Sequence, residues 1–171
     1  MSGKKEDIAK VLIQIGCKKD QACFDFEKVI PYPEKFKQMD KEYGEIEASL
    51  KGQYNNEARN KAFEAYKKKY GQTDTYPKDG FNSGGHVWCN QNWGTKWNVD
   101  NNVEINKQII SFDTAWTPPL PVIEALAKQH PKVKFQLKYY EGGMGFKGIT
   151  EYADGELTYE EETEYSGTRG G

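Results

Sequence analysis

The chain has 171 residues, a length that suits a single domain. Lys and Arg number 24 against 26 Asp and Glu, a net charge of −2 with a pI near 5.8, which excludes a uniformly basic duplex-DNA binder. Mean hydropathy is −0.90, yet 8 Phe, 4 Trp and 11 Tyr supply enough burial to predict a folded globule with a small aromatic core rather than a disordered chain.

In chain order, Met1 to Asp7 turns acidic before any apolar stretch, unlike a signal peptide. Ile8, Val11, Leu12 and Ile15 then recur at the spacing of one helix face and predict a helix over Glu6 to Ile15, stopped by Gly16 and followed by Lys18-Lys19. Phe24 to Ile30 alternates in part and halts at Pro31-Tyr32-Pro33, which predicts a short strand or extended segment. Phe36, Met39, Tyr43, Ile46 and Leu50 predict a helix over Glu34 to Gly52 despite Gly44. A further helix is expected to start on a cap at Asn55 or Asn56 and to end at Tyr70 before Gly71, with Lys67-Lys68-Lys69 in its last turn. That triplet reads as a solvated helix end ahead of a phosphate site.

Gly71 to Gly85 reads as a loop. Val87 to Val99 is taken as a strand, then a polar turn at Asp100-Asn101-Asn102, then a strand over Gln108 to Trp116 with Ile110, Phe112, Thr114 and Trp116 on one face. Thr117-Pro118-Pro119-Leu120-Pro121 introduces a helix ending at Gln129, where His130 serves as a cap. Val133, Phe135, Leu137 and Tyr139 alternate with polar partners and predict a half-buried strand. Gly142 to Gly145 turns into a strand over Phe146 to Ala153, and Asp154-Gly155 is a strong hairpin signal returning as Glu156 to Glu164. The predicted fold is α+β, a sandwich with a mainly antiparallel sheet and helices on one face, an inserted helical segment at about 34–85 and a C-terminal β-hairpin. It forms one domain over 1–165, with a flexible tail at 166–171.

Three cysteines, Cys17, Cys23 and Cys89, argue for a reducing compartment rather than a disulfide framework. A zinc site built from Cys17, Cys23, His86 and Cys89 has a loose five-residue gap between its first two ligands, so ordinary thiols are the better reading and no metal is expected. No apolar run approaches the roughly 20 residues of a membrane span. A cytoplasmic protein with no membrane contact is therefore expected.

Three long motifs carry a resemblance. They are Phe24-Asp25-Phe26-Glu27-Lys28-Val29-Ile30-Pro31-Tyr32-Pro33-Glu34, Asn92-Trp93-Gly94-Thr95-Lys96-Trp97-Asn98, and Phe112-Asp113-Thr114-Ala115-Trp116-Thr117-Pro118-Pro119 leading into Pro121-Val122-Ile123. In this order they resemble the YubB-type ferredoxin-like domain family of phage- and plasmid-encoded proteins, over roughly Gly3 to Tyr152. The resemblance implies a β-α-β-β-α-β sandwich and a mobile-element origin. It implies no activity. Family members begin with a strand before the first helix, whereas Met1-Ser2-Gly3 stands at the turn that follows it. An unpaired sheet edge, and a homodimer or added partner strand there, is the resulting expectation.

For chemistry, the sequence has no Walker loop, no G-x-S-x-G and no H-E-x-x-H, and neither an enzyme nor a cofactor is expected. The candidate binding residues are Trp88, Asn92, Trp93, Lys96 and Trp97, because aromatics interleaved with amides and a lysine suit base stacking or a protein partner. The competing reading places these tryptophans in the core. The acidic residues Glu160, Glu161 and Glu162 are the second candidate surface. Residues 1–150 carry a net +4 and residues 151–171 a net −6, so a slightly cationic body ends in an anionic hairpin. The expected function is non-enzymatic binding of a host protein or nucleoprotein, with inhibition of antiviral defence as its setting. The alternatives are a single-strand nucleic-acid or nucleotide binder and, third, an enzyme.

Overall fold

The computed structural model describes residues 1–17, 23–50, 57–71, 80–81, 85–99 and 103–168. The Asn55/Asn56 cap, Lys18-Lys19, most of the Gly71 to Gly85 loop and the Asp100 to Asn102 turn lie outside these residues, as do residues 169–171 of the expected tail. The chain divides into two compact units, Tyr32–Cys89 and Met1–Pro31 with Asn90–Gly171.

The Tyr32–Cys89 unit contains the expected insertion and is helical. Helix α2 (Glu34–Ser49) and helix α3 (Glu57–Tyr70) follow the predicted periodicity and bury Phe36, Met39, Phe63 and Tyr66. The Tyr66 hydroxyl donates to the Met39 carbonyl at 3.2 Å, and the Tyr43 and Phe63 rings lie 5.2 Å apart. Gly44 lies within α2 with open space beside it. At the C-terminal end of α3, Lys67 pairs with Glu64 and Lys69 with Glu42, so carboxylates already engage two ammoniums of that triplet.

The other unit begins with α1 (Lys5–Gln14), which buries Ile8 and Val11. Phe24 to Ile30 is not a strand. Its centre is a 3-10 turn at Phe26–Lys28, because the Asp25 carboxylate accepts from the Glu27 N–H at 3.0 Å and caps it. Phe24 and Phe26 are nevertheless both buried, which produced the apparent alternation. Val87 to Val99 is also not a strand. It is helix α4 (His86–Asn92) followed by a tight turn, since Gly94 adopts φ +79° and breaks any extended path.

The strand expected over Gln108 to Trp116 is β2 (Ile109–Phe112) only, and it pairs antiparallel with β1 (Val103–Asn106), which has no counterpart among the predicted elements. Trp116 at φ +68° and the following prolines end it early. Helix α5 (Leu120–Gln129) buries Val122, Ile123, Leu126 and Ala127 and packs on the three-stranded antiparallel sheet β3 (Phe135–Glu141), β4 (Phe146–Ala153), β5 (Glu156–Glu164). Among the described residues the strands form two sheets, of two and three strands, rather than one.

Ser2 exchanges two backbone hydrogen bonds with Lys134, of 2.9 and 2.8 Å, and the Met1 ammonium donates to the Gln108 carbonyl at 2.9 Å. The start of the chain therefore lies beside β3 and beside the β1–β2 turn. At Asp154-Gly155 both residues have positive φ, 54° and 84°, as a two-residue hairpin turn requires. No helix among the described residues is long and apolar enough to cross a membrane.

Candidate functional site

Two loops of the Met1–Pro31 and Asn90–Gly171 unit converge after α4 and before α5. Trp93 opens the first loop. It is 3% exposed, its ring lies 5.9 Å from that of Phe26, and its indole N–H donates to the Ile30 carbonyl at 2.9 Å. Trp93 is thus a core residue, not part of a binding surface. Gly94 follows with positive φ, and a Cβ there would meet the Pro121 ring at 2.7 Å and the Pro118 carbonyl at 3.0 Å. Only glycine fits.

Thr95 is fully buried and its hydroxyl donates to the Ala115 carbonyl at 2.9 Å, while the Thr117 hydroxyl donates back to the Gly94 carbonyl at 2.6 Å. Asn98 anchors the far end of the loop. Its side-chain oxygen accepts from the Phe26 and Val99 N–H groups, both at 2.9 Å, and its amide donates to Asp25 at 2.7 Å. The loops are therefore laced by side-chain hydrogen bonds, not held by sheet pairing.

In the second loop the Thr117 N–H donates to the Ala115 carbonyl at 2.8 Å, closing a three-residue γ-turn around Trp116 at φ +68°. A bulky residue in that conformation is strained by about 1–3 kcal/mol. Trp116 is 57% exposed and Trp97 47% exposed. The Lys96 ammonium lies 5.2 Å from the Trp116 ring centre and 5.8 Å from that of Trp97, within range of a cation–π attraction to each. Of the sequence-predicted residues, Lys96 and Trp97 thus come together, and the partner they gain is Trp116, which alternation had placed on a strand face.

Asn92 is half-buried at the end of α4. Trp88 belongs to the Tyr32–Cys89 unit, where its ring packs 5.5 Å from that of Tyr32.

The second candidate surface is β5, all nine residues of which are exposed. Register places Glu162 opposite Gly148, and Gly148 opposite Tyr139; Glu160 lies opposite Thr150. Glu160 and Glu162 therefore share the α5-side face of the sheet, and Glu161 lies on the other. The acidic triplet is an anionic edge that displays carboxylates on both faces. The Tyr139 hydroxyl donates to Glu162 at 3.2 Å and the Tyr159 hydroxyl to Glu161 at 2.6 Å. Burial, with the Glu162 charge second, pushes the Tyr139 phenol up to about 12.

Among the described residues no group of three or more His, Cys, Asp or Glu side chains is placed to hold a metal ion. The Cys17 thiol donates to the Cys23 carbonyl at 2.6 Å, and burial raises its pKa.

Residues 92–169 match the family model described as ferredoxin-like domain in Api92-like protein. No curated protein and no solved structure matches the chain significantly. The matched stretch starts at the end of α4 and takes in both loops of the tryptophan–lysine cluster and the five strands found among the described residues. The chain thus has a ferredoxin-like α+β fold, and over residues 92–169 it is similar to the domain found in Api92-like proteins.

Proposed function

We propose that the protein acts by binding rather than by catalysis, and that the β4–β5 ribbon docks a basic, nucleic-acid-binding protein of the host. One observation carries this reading: β5 exposes all nine residues, five of them Glu, and among the described residues it pairs on one edge only, with β4. Edge strands are usually short, covered or bulged away from contact. This one runs for nine residues, all of them exposed. Its charge supplies both steering toward a basic surface and protection against self-pairing.

The motif resemblance to phage- and plasmid-encoded YubB-type proteins supports a mobile-element setting, in which a host defence complex that grips nucleic acid is a fitting target. The cytoplasm of the host cell is the matching location.

The test is capture from a bacterial lysate by the wild-type chain and by the triple variant Glu160→Lys, Glu161→Lys, Glu162→Lys. A stoichiometric basic partner, lost with the variant, released by salt and displaced by duplex DNA, supports the reading. A partner retained by the variant or insensitive to salt overturns it. A dimer by light scattering that the variant abolishes assigns the edge to a second copy instead.

A further inference from the structure

We infer that Trp97, Lys96 and Trp116 form a binding site for a planar heteroaromatic ring bearing an anionic group, the chemistry of a nucleotide. The site lies in the α4–β1 and β2–α5 loops and is independent of the acidic ribbon.

Three observations converge. The first is exposure. Two indoles stand 47% and 57% exposed in a chain whose aliphatic supply is thin, and each forgoes part of a burial worth about 2–3 kcal/mol for a large apolar side chain. The second is strain. Trp116 is held at φ +68° at the apex of a γ-turn, a cost that core packing does not require, because the residue is 57% exposed. Strained displays of this kind concentrate at ligand sites. The third is preorganisation. Thr95 and Thr117 tie the two loops together from both sides, so the backbone that carries the rings needs little ordering when a ligand arrives.

The ligand class follows from charge and shape. An indole face stacks on any planar ring, at about 1–3 kcal/mol per nucleobase. Exposed aromatic pairs elsewhere take arginine or quaternary ammonium ligands, but here the Lys96 ammonium, 5.2 and 5.8 Å from the two ring centres, repels a cation and attracts an anion. One small ligand can therefore stack on an indole and present a phosphate to Lys96. A protein partner is a poorer fit. Hot-spot tryptophans sit in apolar, desolvated surroundings, whereas these two indoles are 47% and 57% exposed and share a lysine ammonium.

Tryptophan fluorescence of the full chain, titrated with AMP, adenosine and a thymidine decanucleotide, tests the site. Saturable quenching is expected with AMP and with the decanucleotide. Trp97→Ala and Trp116→Ala should each weaken binding about tenfold, and Lys96→Ala should weaken AMP about tenfold while leaving adenosine unchanged. Decanucleotide binding much tighter than AMP assigns the site to single strands, and equal affinity assigns it to free nucleotides. Circular dichroism checks folding, and Trp116→Gly, which suits the positive φ, replaces Trp116→Ala if that variant does not fold. Absence of quenching with AMP and the decanucleotide overturns the inference. So does a Lys96→Ala substitution that changes AMP and adenosine affinity by the same factor, or a double tryptophan variant that binds as the wild type does. Protein capture that needs Trp97 and Trp116 without nucleotide quenching also overturns it. Charge reversal of Glu160 to Glu162 should leave the quenching intact.

Discussion

The Thr117 hydroxyl donates to the Gly94 carbonyl at 2.6 Å, and beside it the buried Thr95 hydroxyl donates to the Ala115 carbonyl at 2.9 Å. This reciprocal pair joins two loops that share no strand pairing. It sets Lys96 between Trp97 and Trp116.

Replacing Thr95 with Val keeps the shape but removes the buried donor, leaving the Ala115 carbonyl with the Thr117 N–H alone. A loss of about 1–2 kcal/mol is expected, read as a lower midpoint in urea unfolding. Thr117→Val acts at an exposed position and should cost less, about 0.5–1.5 kcal/mol. Equal costs for the two would contradict the burial difference between them.

Trp93 and Trp97 lie in one short motif but should respond oppositely. Trp93→Phe removes the indole N–H that serves Ile30 and leaves a void in the core, so a loss of about 1–3 kcal/mol is expected. Trp97→Phe, at an exposed ring, should stay within about 0.5 kcal/mol of wild type. Thermal unfolding of both variants separates the structural indole from the surface one.

Trp116→Gly should raise stability by about 1 kcal/mol, because glycine adopts φ +68° without the strain of a Cβ. A variant that unfolds earlier than wild type would show that the exposed ring contributes more to the fold than its conformation costs.

Tyr139 carries a pH dependence. Its pKa is raised from the usual 10 to about 12, first by burial and then by Glu162. The folded chain therefore holds that proton more tightly than the unfolded chain. The resulting stabilisation is complete below about pH 10 and disappears as pH rises toward 12. Tyrosinate absorbance should show a late-titrating phenol that Tyr139→Phe removes. Glu162→Gln should bring it down only in part, because burial is the larger cause. Titration of that phenol at its ordinary value would contradict the geometry.

Much of the fold was legible from local signals. Helical periodicity located α1, α2, α3 and α5, alternation located β3, and Asp154-Gly155 defined the β4–β5 hairpin together with both its strands. These signals are short-ranged: side-chain spacing and turn chemistry act within a few residues. Phe24 to Ile30 and Val87 to Val99 misled because burial recurred there without extended backbone. What shapes them is non-local. Asn98 reaches Asp25 and Phe26, and Trp93 reaches Ile30.

The candidate site divides in the same way. The sequence by itself determined that the C-terminal hairpin is acidic and that a tryptophan-rich stretch holds one lysine. The register of β4 and β5 then places Glu160 and Glu162 on one face and Glu161 on the other. Only the tertiary structure decided which indoles are core and which are surface. The physical reason is that burial and strain depend on what the rest of the chain brings alongside. The Ile30 carbonyl accepts from the buried Trp93 indole, while the turn closed from Thr117 to Ala115 leaves Trp116 exposed beside Lys96.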